Sequence, residues 1–325
     1  VTKSVAEGVT LSYTSTNGVT YNGIPYYPAG PVNFTVKHDF SQAVVVKVNG
    51  NEVVASDGHF SFTIDPATAT AYEISVTLGP PPIKGSGTEG EPYLIEDEDD
   101  WNYMAYYLNG GMSPDGFSGK HFKLMADNIT TSQMMGSDSH PFKGIFDGDG
   151  QTLTIAFGSE DNYLDKSCAP FDCIENATIK NLTVNGSIYS SAQNNGGLVR
   201  AVKNEYNYIR NCVSNVSIFS NRNGDCGNGG FVGDVSNFCS NVYFDGCAFV
   251  GELVGANASN WGGFVGWRYY YNAANANNCC ASFTDCLFAP KTVSIDTSSD
   301  GNSRTFYRSR NNSTDGATYT GCYYT

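Results

Sequence analysis

The sequence predicts an all-β protein: an N-terminal immunoglobulin-like β-sandwich followed by a parallel β-helix (β-solenoid) with a short capping helix. Three observations predict it. Short alternating segments separated by Asn/Asp-Gly turns fill residues 1–79, glycine-hydrophobic repeats start at Gly196, Gly229 and Gly262 at equal 33-residue intervals, and one amphipathic segment near residue 100 has a helical period. Equal intervals of this length are the signature of stacked repeats.

Composition agrees with an ordered chain. Only 15% of the 325 residues are charged, against 40% hydrophobic and 13% aromatic, far from the high-charge, low-hydrophobicity balance of disorder. The net charge of −14 repels phosphate backbones and anionic lipid, so nucleic acid is excluded as an expected partner. No run of 18 apolar residues occurs, so no transmembrane segment is expected; a lipid anchor on a removed or missing N-terminal region stays open.

In residues 1–79, PVNFTVKHDF, AVVVKVNG, HFSFTI and AYEISVTL alternate apolar and polar positions as half-buried strands do. Asn49-Gly50 and Asp57-Gly58 suit tight hairpins. Residues 80–88, with three consecutive prolines and then a Gly/Ser run, read as a linker. Residues 89–325 read as the β-helix with an N-terminal helical cap and an aromatic-rich C-terminal cap. Trp101, Met104, Ala105 and Leu108 stand at i, i+3, i+4 and i+7, acidic residues crowd the start of that segment, and Asn109-Gly110-Gly111 ends it. Such a helix would cover the open first coil of a solenoid.

The repeats run GGLVR at 196 and GGFVG at 229 and 262. In step with them, IKNLTV, IRNCVS, FDGCAF and FTDCLF place Ile179, Ile209, Phe244 and Phe283 in one column, and Leu182, Cys212, Cys247 and Cys286 in the next. A third column holds Val184, Ser214, Phe249 and Phe288. One coil of short strands cannot bury its inner face alone, whereas stacked coils bury like on like. The cysteines of the second column are thus expected as small core residues. Cys168 with Cys173, and Cys226 with Cys239, are candidate disulfides in an oxidising compartment. HPFKGIFDGDGQTLTIAFG reads as an earlier, irregular coil with Asp147-Gly148-Asp149-Gly150 as its turn.

These segments resemble the GLUG-motif proteins of bacterial surfaces. GGFVG at 229 and 262 carries Phe where that motif has Leu, and GGLVR at 196 ends in Arg200 instead of glycine. GTEGEPYLIEDEDDWNYMAYYLNGG, GKHFKLMADN, PFKGIFDGDGQTL and ATIKNLTVNGSI are similar to the opening of such domains in Bacteroides-type secreted proteins. The resemblance spans about residues 87 to 290. It implies a parallel β-helix, secretion or display on the outer cell surface of a bacterium and an adhesin-like role, and it brings no catalytic residues with it.

For chemistry, Asp147, Asp149 and Asp172 are the candidate carboxylates, since glycoside hydrolysis needs two at a defined separation. Asp-Gly-Asp-Gly is equally the composition of an ordinary turn. It can offer oxygen to an incidental Ca²⁺, but no dedicated metal site or other cofactor is expected: the four histidines form no HExxH and the cysteines no CxxC. Trp261, Trp267, Tyr269, Tyr270 and Tyr271 are the candidate ligand-binding residues, as a row that can stack on sugar rings. Tyr323 and Tyr324 are expected to seal the C-terminal end, and residues 252–260 and 270–278 to form loops on one side of the stack. The sequence therefore favours a non-enzymatic surface module that binds a glycan or an extracellular protein. Its alternatives are a polysaccharide hydrolase or lyase on the same scaffold, and a structural spacer without ligand.

Overall fold

The computed structural model describes residues 1–14, 18–38, 43–56, 59–69, 71–78, 83–127, 129–204, 206–237, 240–267, 280–295, 303–308 and 317–325, apart from the side chains of residues 236, 237 and 280. The fold is the sandwich followed by the parallel β-helix that the sequence predicts.

In the sandwich, one sheet runs in the order Thr2–Val5, Glu73–Leu78, Val44–Val48, Asn51–Glu52, and the other in the order Thr10–Tyr13, Gly30–Lys37, Phe60–Ile64. The first strand is parallel to Glu73–Leu78 and the remaining pairs are antiparallel. Alternation along Gly30–Lys37 buries Val32, Phe34 and Val36. Phe34 stacks on Phe60 at 5.5 Å between ring centres and meets Val46, Ile74 and Val76 in the same core. Asn49 and Gly50, with φ of 50° and 81°, turn the Val44–Val48 and Asn51–Glu52 hairpin in the left-handed region that these residue types tolerate.

From Ile83 onward the chain winds into coils whose strands feed three parallel sheets. An eight-stranded sheet runs from Tyr93–Ile95 to Ala317–Thr320, and a nine-stranded sheet has a main path from Ile129–Thr131 to Tyr323–Tyr324. The third contains Phe171–Glu175, Val199–Lys203, Val232–Asn237 and Val265–Trp267. The expected columns form in register, Ile179, Ile209, Phe244 and Phe283 on the first sheet and Val184, Ser214, Phe249 and Phe288 on the second; Phe122 and Phe146 extend the first column and Leu153 the second. Ile83 is buried in this core and Leu94 N–H donates to the Lys84 carbonyl at 2.8 Å, so the solenoid reaches back into the segment read as linker.

The glycine pairs stack as Gly196, Gly229 and Gly262. A Cβ on Gly230 would lie 2.0 Å from the Gly263 carbonyl oxygen, so the coils close at this corner only without side chains. Arg200 replaces the last glycine of the repeat because its side chain turns out of the coil to Asp172 and Asp138. At another corner Asn181 and Asn211 are left-handed, with φ of 53° and 50°, and Asn211 Nδ2 donates to Asn181 Oδ1 at 3.3 Å.

The helix spans Glu98–Asn109, capped by the Asp97 side chain, which accepts from Asp100 N–H at 3.0 Å. Its Trp101, Met104, Ala105 and Leu108 face is buried in the solenoid core. Trp101 meets Phe146 and Phe171 edge-on, and its Nε1 donates to the Gln133 carbonyl. The other face is aromatic: Tyr106 and Tyr107 hydroxyls donate to the Val36 and His38 carbonyls, and Tyr106 packs edge-on against Phe60. One helix therefore closes the solenoid and seats the sandwich.

Several local expectations are corrected. Tyr323 and Tyr324 do not seal the C-terminal end, because they are 70% and 74% exposed; Phe306 and Tyr307 are the buried tail aromatics, with Phe306 stacked on Phe264. Residues 252–260 are not a free loop, since Glu252–Gly255 and Ala258–Ser259 pair with the coil before. Cys168 and Cys173 are free and buried, so that candidate disulfide does not form; Cys226 is buried as a free thiol, and its candidate partner Cys239, like residues 57–58 and 270–278, lies outside the described residues. Among the described residues no helix is long and apolar enough to cross a membrane.

Candidate functional site

The outer surface of the eight-stranded sheet is set by alternation. Residues on either side of the inward column must point outward, which gives a row of His121, Ile145, Thr178, Tyr208, Tyr243 and Ser282, and a second of Lys123, Asp147, Lys180, Arg210, Asp245 and Thr284. Tyr208 and Tyr243 stack at 5.1 Å and 23°, the distance that in-register strands impose. The Arg210 guanidinium lies over the Tyr208 ring, 4.5 Å from its centre.

Toward the N-terminal end the same face deepens into a cleft of about 460 Å³. Glu89, Gly90, Pro92 and Leu94 form one side of it, and His121, Lys123, Ile145, Asp147 and Lys180 contribute to its lining. Charges alternate along this floor. Lys180 Nζ is 3.0 Å from Asp147 Oδ2, and Lys123 Nζ is 2.9 Å from Asp149 Oδ2. Asp147 Oδ1 also accepts from Asn181 Nδ2 and from Asp149 N–H. Burial pushes the Asp147 carboxyl up, but these bonds and Lys180 outweigh it and hold the group below its ordinary value. Asp147 is therefore a settled carboxylate, unsuited to donate a proton as a general acid.

Asp172 lies on a different sheet, in the strand Phe171–Glu175, so the candidate carboxylates are not brought together as a facing pair. Arg200 holds it through Nε at 2.5 Å and Nη2 at 3.2 Å, and reaches Asp138 at 2.9 Å. Burial raises the Asp172 carboxyl, and Arg200 only partly offsets this. Beside them Lys143 pairs with Glu175 at 2.9 Å, and Asn204 donates to the same carboxylate oxygen. No group of three or more His, Cys, Asp or Glu side chains is placed to hold a metal among the described residues. Burial pushes the Cys168, Cys173 and Cys226 thiols up to about 12, which removes them as nucleophiles at neutral pH.

The aromatic candidates fare differently from one another. Trp261 is 1% exposed and its Nε1 donates to the Ala258 carbonyl, so it is a core residue out of reach of any ligand. Trp267 ends the column Cys173, Ala201, Asp234 on the third sheet, and the Arg308 guanidinium sits over its ring at 4.5 Å. Tyr269, Tyr270 and Tyr271 lie outside the described residues. The pair on the eight-stranded sheet went unread, although its signal was present: Tyr208 and Tyr243 directly precede Ile209 and Phe244, members of the inner column.

No family model matches the chain, and no curated protein matches it significantly. Among solved structures, the chain is similar to one titled "Crystal structure of a putative immunoglobulin A1 protease from Bacteroides ovatus", with 17% identity over 74% of this chain and 77% of that one, and a TM-score of 0.44. A likeness of that size says nothing about activity.

Proposed function

We propose that the chain is a non-enzymatic module displayed outside a bacterial cell, and that the outer face of its eight-stranded sheet binds a glycan. The observation that carries this is the outward row in which stacked Tyr208 and Tyr243, with Arg210 over Tyr208, continue into the cleft of Lys123, Asp147 and Lys180. A straight sheet face presents aromatic surface and fixed hydrogen-bonding groups at a regular spacing, which suits an extended, hydroxyl-rich polymer. The GLUG-like segments support surface display.

The test is affinity electrophoresis of the whole chain in neutral and acidic polysaccharides. Removing both rings, Tyr208→Ala with Tyr243→Ala, is expected to weaken binding about tenfold or more, the equivalent of about 1.4 kcal/mol. Unchanged retention in a folded double variant would sink the assignment of this face. A second reading, a polysaccharide-degrading enzyme, draws on Asp172, whose carboxyl is raised by burial and lies against Arg200. It requires release of shortened or unsaturated sugars from the same panel, abolished by Asp172→Asn.

A further inference from the structure

Lys123, Lys180 and Arg210 stand in one outward row of the eight-stranded sheet, and they are not equally committed. Lys123 and Lys180, on the cleft floor, are held by Asp149 and Asp147. Arg210 follows Lys180 in register on the next strand and is exposed. Among the described residues its side chain makes no hydrogen bond and no ion pair. What holds its guanidinium is the Tyr208 ring.

The neighbours of that ring fix where the guanidinium lies. Tyr243, on the strand toward the C-terminus, stacks on one face of Tyr208 at 5.1 Å between ring centres. A guanidinium 4.5 Å from the same ring centre cannot share that face. It therefore takes the other, on the side of Thr178 and the cleft and away from Asp245. Thr178 is too small to cover it. Stacking uses the flat face of a guanidinium and leaves the N–H groups along its edge free to donate in plane. A planar carboxylate fits such an edge, because two parallel N–H···O bonds form at once.

We propose that the polymer taken by this face carries carboxylates, as a uronic-acid glycan does, and that Arg210 selects it by pairing its guanidinium edge with a sugar carboxylate at the mouth of the cleft. The inference rests on the assignment of this face to a glycan. Lys123 and Lys180 cannot take the same part without giving up an aspartate, so selection falls to Arg210.

The charge of the whole chain is compatible with recognition by contact and not by field. At a net charge of −14 the protein repels a densely charged polyanion. That repulsion is screened beyond about 8 Å at physiological ionic strength, whereas the guanidinium acts at hydrogen-bond distance. A polymer with single carboxylates spaced one to a sugar therefore suits the face better than a dense anion does.

The experiment is affinity electrophoresis of the whole chain in matched polymers: polygalacturonate against its full methyl ester, and alginate against its propylene glycol ester. Dextran sulfate serves as a dense anion without carboxylates. Wild type is expected to bind at least one acid form about fivefold more tightly than its ester, the size of an exposed charge-assisted pair. Arg210→Gln is expected to bring that ratio to about one. The ligand side needs wild type alone, so it decides even if the variant does not fold. Equal retention in acid and ester, retention in dextran sulfate as strong as in the acid polymers, or an unchanged ratio in folded Arg210→Gln overturns the role of Arg210 and leaves the glycan face standing. Failure to bind any acidic or neutral polysaccharide overturns both.

Discussion

Replacing Trp101 with alanine removes the centre of the cap. The indole is fully buried, meets Phe146 at 5.8 Å and Phe171 at 5.5 Å between ring centres, and donates to the Gln133 carbonyl at 3.0 Å. Burying about 200 Å² of aromatic side chain at about 25 cal/mol per Å² corresponds to about 5 kcal/mol. Partial collapse of the site brings the expected loss to about 4 kcal/mol, within the usual range for this change. Trp101→Phe keeps a ring but strands the Gln133 carbonyl, at a cost of about 1–2 kcal/mol. Urea unfolding followed by far-ultraviolet circular dichroism measures both. Hydrogen exchange adds a location: amides of Tyr93–Ile95 and Ile129–Thr131, next to the helix, should open well before those of Asn241–Asp245. A loss below about 1 kcal/mol for Trp101→Ala, or equal losses for the two variants, would refute the reasoning that this side chain closes the solenoid.

Two other perturbations test the coils. Gly230→Ala places a methyl group 2.0 Å from the Gly263 carbonyl oxygen and should cost about 3 kcal/mol or more, whereas Gly150→Ala, in open space at φ +81°, should cost about 1–2 kcal/mol; equal thermal shifts would contradict the packing of the glycine corner. Asp147→Asn tests the electrostatics of the cleft floor. Because the folded carboxyl is held below its ordinary value of 3.8, its stabilisation is present above that pH and disappears as pH falls toward the folded value. The variant should be less stable than wild type near pH 7 and approach it at about pH 2, and a gap that widens on acidification would contradict the sign.

The repeat was legible because stacking makes sequence periodic. Ile209 and Phe244 repeat the role of Ile179 since each must cover the one below, and the helix showed through the spacing of Trp101, Met104, Ala105 and Leu108. The outward rows were not legible in the same way. Packing does not constrain Tyr208 and Tyr243 to resemble Thr178 and Ser282 in the same row, so no column announces them and only their position beside the inner residues does. Trp261 misled for the converse reason. A tryptophan beside a glycine pair looks like a binding residue, yet a 252–260 segment that pairs with the coil below turns it inward. Asp147 and Asp172 could not be separated by sequence, because which sheet a short strand joins depends on the coil path.

The helix between sandwich and solenoid bears on the order in which the chain assembles. Parallel coils form slowly, since each strand waits for a partner a full turn away in sequence. The sandwich has a hydrophobic cluster of its own around Phe34, and its Val36 and His38 carbonyls and Phe60 ring offer a seat to Tyr106 and Tyr107. Once docked, the helix displays Trp101, Met104 and Leu108 as a ready-made floor, so the first coil condenses on a surface instead of nucleating in solution. Each later coil then has a finished edge to pair with, so the stack is ordered from that floor toward the C-terminus.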